Sequence, residues 1–82
     1  MYYVYFLMSS VNRDLYIGST KDVQKRFFMH NAGRVRSTKG YRPWELLGYE
    51  EFVTRSEAVL RERFTKSHQQ KEILKRKYAM AA

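Results

Sequence analysis

The chain has 82 residues, with sixteen Lys and Arg against eight Asp and Glu, and its formal net charge is +8 at pH 7. A chain this short buries only about 60% of its unfolded surface, so we expect one domain over residues 1–82 with a thin core. The lack of cysteine excludes disulfides and zinc–thiolate sites. The longest apolar run, residues 1–8, is well short of the ~20 residues of a membrane helix, which predicts a soluble cytoplasmic protein.

The first twenty residues predict a β-hairpin. Residues 2–7 are rich in Tyr, Val and Phe, which suit a half-buried strand. Residues 9–14 form a cluster of turn-favouring residues, and residues 15–18 are typical of a second strand.

A helix is expected to follow the hairpin. Ser19 and Thr20 are good N-cap residues, and the helix should run to about residue 31. Gly33 suits the left-handed position that often follows a helix. Arg26 and His30 lie one turn apart on the predicted helix, so they can act at one place.

The second half of the chain predicts a loop, a strand and two helices. Over residues 34–43 apolar residues do not recur at regular intervals, which predicts a loop. Over residues 44–53 apolar and polar residues partly alternate, which predicts a strand. Residues 54–57 have the form of a capping box, which opens a helix over residues 55–66. A last helix is predicted over residues 69–78.

The positive charge is unevenly distributed. Residues 34–42 carry four basic residues and no acid, and residues 61–77 carry seven basic residues with only Glu62 and Glu72. Such a surface favours a polyanion, and nucleic acid is favoured over a membrane because no basic amphipathic helix with bulky apolar anchors is present. A protein that is merely basic is the alternative.

One set of residues resembles a known family. The sequences Tyr-Val-Tyr at 3–5 and Tyr-Ile-Gly at 16–18, followed by Arg26 and Glu62, resemble the catalytic pattern of the GIY-YIG nuclease domain over nearly the whole chain. The likeness is greatest to small stand-alone bacterial members, and related domains serve in excision-repair enzymes, homing endonucleases and restriction enzymes. It implies an α+β fold (class α/β in the broad sense) with a three-stranded, mainly antiparallel sheet flanked by about three helices.

The resemblance also implies a metal-dependent endonuclease. A carboxylate such as Glu62 can hold one Mg²⁺ or Mn²⁺, and the planar cation of Arg26 can clamp two phosphate oxygens. By resemblance Tyr16 is the general base, Tyr5 positions the water or Tyr16, and His30 orients water or contacts phosphate.

DNA is the expected substrate, with RNA in second place, and both a monomer and a weak dimer stay open. Gly18 is expected to let backbone or DNA approach closely where a Cβ would obstruct. The basic residues expected to contact nucleic acid are Lys21, Arg34, Arg36, Lys39, Arg42 and Lys66.

The chain departs from the family pattern at two points. Tyr3 replaces the glycine of the first motif, and no Asn follows Glu62, where longer relatives carry one on a late helix. The last helix offers Gln69, Gln70 and Lys71 instead, so that role is unassigned.

Each residue also has a structural alternative. A strand tyrosine usually packs, a helix Arg often covers apolar surface with its stem, and a carboxylate such as Glu62 can simply pair with Arg61, Lys66 or Arg26. A non-catalytic nucleic-acid-binding module and a protein-interaction module of a repair or recombination complex are therefore the competing functions.

Overall fold

The computed structural model describes residues 1–81, with side chains described as far as Tyr78. Its elements confirm the predicted α+β class, with three strands, three α-helices and one short 3-10 helix. In chain order they are β1 (Tyr2–Ser9), β2 (Leu15–Thr20), α1 (Val23–Asn31), the 3-10 helix (Lys39–Tyr41), β3 (Trp44–Phe52), α2 (Arg55–Thr65) and α3 (His68–Ala81). Within these residues, no helix is both long and apolar enough to cross a bilayer.

The sheet is antiparallel with the strand order β2-β1-β3, so β1 is central and β2 is an edge strand. Successive side chains of a strand point to opposite faces. Val4 and Phe6 of β1 pack in one core cluster, whereas Tyr5 and Leu7 pack in another. Both faces of β1 are covered, which explains why its sequence is a continuous run of large apolar residues.

The two cores define the two faces of the sheet. On one face the strands pack against α2 and α3, and on the other face they pack against α1. The buried residues of the first core are Val4, Phe6, Leu15, Ile17, Ala58 and Leu74. Those of the second core are Tyr5, Leu7, Val23 and Trp44.

The start of α1 differs from the predicted one. Ser19 and Thr20 do not cap the helix, because both belong to β2 and pair with β1. The N-cap is Asp22, whose carboxylate accepts a hydrogen bond from the Lys25 backbone N–H at 3.0 Å. The β-ladder therefore takes precedence over the local capping preference of the two hydroxyl residues.

The other helix-end signals are confirmed. Gly33 has a φ of +77°, the left-handed conformation expected just past the end of α1. Thr54 and Glu57 form the capping box of α2, in which each side chain accepts a hydrogen bond from the other residue's backbone. The loop after α1 is less open than predicted, since Lys39–Tyr41 forms the 3-10 helix.

Asn31 joins the last turn of α1 to the first residue of β3. Its amide nitrogen donates to the Trp44 carbonyl at 2.9 Å, and its carbonyl oxygen accepts from the Trp44 N–H at 2.6 Å. The side-chain amide thus takes the place of a neighbouring strand. This pair of bonds fixes where α1 ends relative to the sheet.

Asn31→Ala should lower the free energy of unfolding by about 2 kcal/mol, because both polar backbone groups of Trp44 lose their partner. Urea denaturation measures the change. The matched control is Asn12→Ala, since the Asn12 side chain accepts one exposed bond from the Asp14 N–H and its loss should cost less. Equal losses in the two variants would contradict the bridging role of Asn31.

Candidate active site

Tyr5 is buried in the middle of the central strand, opposite Gly18 of β2. A Cβ on Gly18 would lie 2.6 Å from the Tyr5 hydroxyl oxygen and 2.8 Å from the carbon that bears it. Real side chains do not approach this closely, so only glycine leaves room for the Tyr5 ring. The group that approaches Gly18 is therefore this tyrosine ring.

His30 is buried beside Tyr5, with 0% of its surface exposed. Its Nε2 atom is 2.9 Å from the Tyr5 hydroxyl, and its Nδ1 atom is 2.8 Å from the Thr38 hydroxyl. Burial, together with the positive charge of Arg26, lowers the pKa of His30 to about 4. The ring is therefore neutral at pH 7, and both of its nitrogens are engaged, which leaves none to orient water or contact phosphate.

Tyr16 is half-buried and packs among the other rings of this cluster. Its ring centroid lies 4.8 Å from that of His30, 6.1 Å from that of Trp44 and 6.2 Å from that of Tyr5. These distances are typical of favourable aromatic contacts. Tyr16 is thus held in place by three neighbours and is more accessible than Tyr5.

The Arg26 guanidinium reaches the same tyrosine from α1. Burial raises the pKa of Tyr5 to about 12, and nearby Tyr16 adds to this, whereas a hydrogen bond from Arg26 acts in the opposite direction. Tyr5 therefore keeps its proton at neutral pH.

Glu62 lies apart from this cluster, on α2. Its Oε2 atom is 2.8 Å from the Lys66 ammonium, and Ser19 of β2 is close enough to help stabilise the charge of the carboxylate. Burial, the largest single influence, raises the pKa of Glu62, but the bonds from Lys66 and Ser19 and the charges of Lys66 and Arg63 together lower it. The carboxylate is therefore ionised at pH 7.

The predicted catalytic residues thus fall into two groups around the edge strand β2. Tyr5, Tyr16, Arg26 and His30 lie together on the α1 face, whereas Glu62 reaches Ser19 from the α2 face. Ser19 directly follows Gly18, and adjacent strand residues face opposite sides. The two groups are therefore separated by the thickness of one strand.

A metal ion at this site has one carboxylate available. Among residues 1–81, no three His, Cys, Asp or Glu side chains lie close enough to hold an ion by themselves. Mg²⁺ is commonly held by one or two carboxylates, with waters and substrate phosphate completing its shell. The ionised, half-buried carboxylate of Glu62 fits such a site, on condition that the ion shares it with Lys66 or displaces Lys66.

The basic residues expected to contact nucleic acid are exposed, but they occupy different places. The loop residues Arg34, Arg36, Lys39 and Arg42 lie between α1 and β3. Two other basic side chains are already engaged: Lys21 lies over the Tyr2 ring, 5.2 Å from its centroid, and Lys66 pairs with Glu62.

Two site residues were not identified from the sequence. Thr38 is the buried residue of the basic loop; its hydroxyl bonds His30, and its carbonyl accepts from the Trp44 indole N–H at 2.9 Å. Ser19, expected as a helix cap, instead lies in β2 and helps to lower the pKa of Glu62. No local signal marks Thr38, because a lone threonine in a loop is more often solvated than buried.

The comparison with protein families identifies the class of protein to which the chain belongs. The model of the GIY-YIG catalytic domain matches residues 1–79. The chain therefore belongs to the GIY-YIG family, a nuclease superfamily whose members generally use a divalent metal.

Its relatives narrow the class to small GIY-YIG proteins of the UPF0213 group. The chain is 43% identical over 68 residues to a UPF0213 protein of Haloquadratum walsbyi, covering 82% of this chain and 75% of that one. It is 37% identical over 75 residues to one from Staphylococcus saprophyticus, covering 90% of each chain. The solution NMR structure of a UPF0213 protein from Bacillus halodurans matches with a TM-score of 0.56 and 33% identity, covering 90% of this chain and 82% of that one.

Gly18→Ala should lower the free energy of unfolding by about 1–3 kcal/mol, because the new methyl group overlaps the Tyr5 ring in a packed interior. Thermal or urea denaturation measures this. Gly40→Ala is the matched control, since nothing lies within 4 Å of a Cβ at Gly40. A Gly18→Ala protein as stable as Gly40→Ala would show that the Tyr5 ring is not confined as described.

The stability of the fold should fall as the pH drops from 7 to 5. The pKa of His30 is about 4 when folded and 6.5 ordinarily, so below pH 6.5 the unfolded chain binds a proton that the folded chain does not. The contribution of the neutral His30 to the free energy of unfolding is therefore fully present above pH 6.5 and decreases below it. The decrease between pH 7 and 5 is about 2 kcal/mol.

Urea denaturation at several pH values in this range tests the point, because few carboxylates titrate there. His68→Gln, at the exposed second histidine of the chain, is the matched control. His30→Gln should flatten the slope of stability against pH. Equal slopes in all three proteins would mean that His30 is not held neutral.

Proposed function

We propose that this protein is a divalent-metal-dependent endonuclease that hydrolyses phosphodiester bonds in DNA. The observation that carries the proposal is the cluster of Tyr5, Tyr16, His30 and Arg26 beside the edge strand, with an ionised Glu62 just across that strand. A phosphate at this edge would have a cation and a hydroxyl on one side and a carboxylate on the other.

In the proposed mechanism, each residue has a role that suits its surroundings. Tyr16, the more accessible tyrosine, gives up its own hydroxyl hydrogen to solvent and then takes the proton of the attacking water. Arg26 neutralises charge that develops on the phosphate oxygens, which is often worth several kcal/mol at an active site. Tyr5 keeps its own proton and holds the Tyr16 and Arg26 side chains in register. His30 acts through Tyr5, because the histidine has no free nitrogen.

Glu62 would hold the metal ion, which we propose is Mg²⁺ or Mn²⁺. When bound, a divalent cation supplies charge neutralisation at the phosphate and supports the leaving oxygen. The Lys66 ammonium now occupies one carboxylate oxygen of Glu62. Weak metal binding in the absence of nucleic acid is therefore expected.

The exposed basic loop over residues 34–42 would hold the nucleic-acid backbone next to the tyrosines. The loop connects directly to the cluster, since Thr38 lies between its basic side chains and bonds His30. Contacts of this kind position the backbone without reading its sequence. Repair of damaged or branched DNA is one process that would use such an activity.

A non-catalytic nucleic-acid-binding module is the second candidate. The observation that favours it is the Glu62–Lys66 pair, which offers a purely structural reason for the carboxylate. Such a module would bind DNA more tightly after Glu62→Gln, because the change removes a negative charge near the bound phosphates. A nuclease would instead lose cleavage.

The test is a panel of labelled duplex, single-stranded, nicked and branched DNA and RNA, incubated with Mg²⁺, Mn²⁺ or EDTA. We expect metal-dependent nicking that falls by about 10²–10³-fold in Arg26→Ala and Tyr16→Phe and disappears in Glu62→Gln. Glu72→Gln is the matched control, because Glu72 also pairs with a lysine on a helix, at 3.7 Å, but lies outside the cluster.

Unchanged cutting by folded Glu62→Gln protein would contradict the proposal. Salt-dependent binding without any product, in every metal and on every substrate, would favour the binding module.

A further inference from the structure

A series of buried hydrogen bonds links Tyr5, through His30, to Thr38. The Tyr5 hydroxyl bonds His30 Nε2 at 2.9 Å, and His30 Nδ1 bonds the Thr38 hydroxyl at 2.8 Å. The Thr38 hydroxyl in turn donates to the Val35 carbonyl at 3.3 Å. The three side chains of this series, Tyr5, His30 and Thr38, are each no more than 1% exposed.

The number of hydrogens available determines which group donates in each bond of this series. A threonine hydroxyl has one hydrogen, and a neutral imidazole carries one hydrogen on one of its two nitrogens. If the hydrogen of Thr38 goes to the Val35 carbonyl, the Thr38 oxygen must accept from His30 Nδ1–H. His30 Nε2 is then bare, and the Tyr5 hydroxyl donates to it.

We propose that Thr38 is a positioning residue that fixes the tautomer of His30 and so directs the hydrogen of Tyr5 toward the histidine. Thr38 is itself held from two sides, because its carbonyl accepts from the Trp44 indole at 2.9 Å and its N–H donates to Val35 at 3.1 Å. The hydroxyl therefore has little freedom to turn away.

The direction of the Tyr5 hydrogen bond also affects the other side chains on the α1 face. With its hydrogen committed to His30, the Tyr5 oxygen presents its lone pairs to the remaining neighbours, Arg26 and Tyr16. Arg26 can only donate, so an accepting oxygen holds it in place. The Tyr5 hydrogen is then not donated to Tyr16, so the lone pairs of the Tyr16 oxygen stay free for the proton of water. This last step rests on the proposed nuclease function, whereas the tautomer does not.

The experiment is a long-range proton–nitrogen NMR spectrum of the imidazole rings in the free, neutral-pH protein. The chain has two histidines, and the exposed His68 serves as an internal reference. In the unaltered chain, His30 should show a protonated Nδ1 and a bare Nε2. Thr38→Ser should keep this pattern, because the hydroxyl is retained.

Thr38→Val keeps the shape of the side chain and removes the hydroxyl. It should shift His30 toward the Nε2–H form, which neutral histidine favours in water, while the His68 resonances stay unchanged. If cleavage is found, kcat should fall in Thr38→Val with KM little changed, and Thr38→Ser should restore it.

A protonated Nε2 on His30 in the unaltered chain would overturn the proposal whether or not the variants fold. An unchanged tautomer in folded Thr38→Val would overturn it as well. Neither result depends on cleavage, so the tautomer proposal and the nuclease proposal can fail separately.

Discussion

The buried hydroxyl of Tyr5 is the contact on which the rest of the site depends. It lies in the central strand, packs against Gly18 and bonds His30. A buried hydroxyl without a partner is costly, so its position in the core requires the histidine, and the buried histidine requires Thr38 in turn. The fold and the site therefore share one set of interactions, in a chain too small to separate them.

This dependence explains how a short domain places charged groups accurately. Packing of β1 against helices on both faces fixes Tyr5, and the Asn31 bridge to Trp44 fixes the end of the helix that carries Arg26 and His30. Side chains on rigid elements hold their geometry better than side chains on loops. The basic residues, by contrast, are carried by a loop whose buried point is Thr38.

The sequence was informative where the signal is local. The alternation of strand residues and the capping box at Thr54 predicted the elements, and the family resemblance selected the tyrosines. It was wrong at Ser19, because capping preference contains nothing about pairing with a distant strand. The family resemblance also selected Glu62, but helical spacing cannot tell which face of the sheet its helix covers. Thr38 could not be identified from the sequence, because its burial depends on Trp44 and His30 together.

The position of β2 at the rim of the sheet has a geometric consequence. A ligand that touches both Tyr16 and Glu62 has to reach around a single strand. If that ligand is the DNA of the proposed nuclease, a curved or interrupted nucleic-acid strand would meet this requirement better than a smooth, regular one.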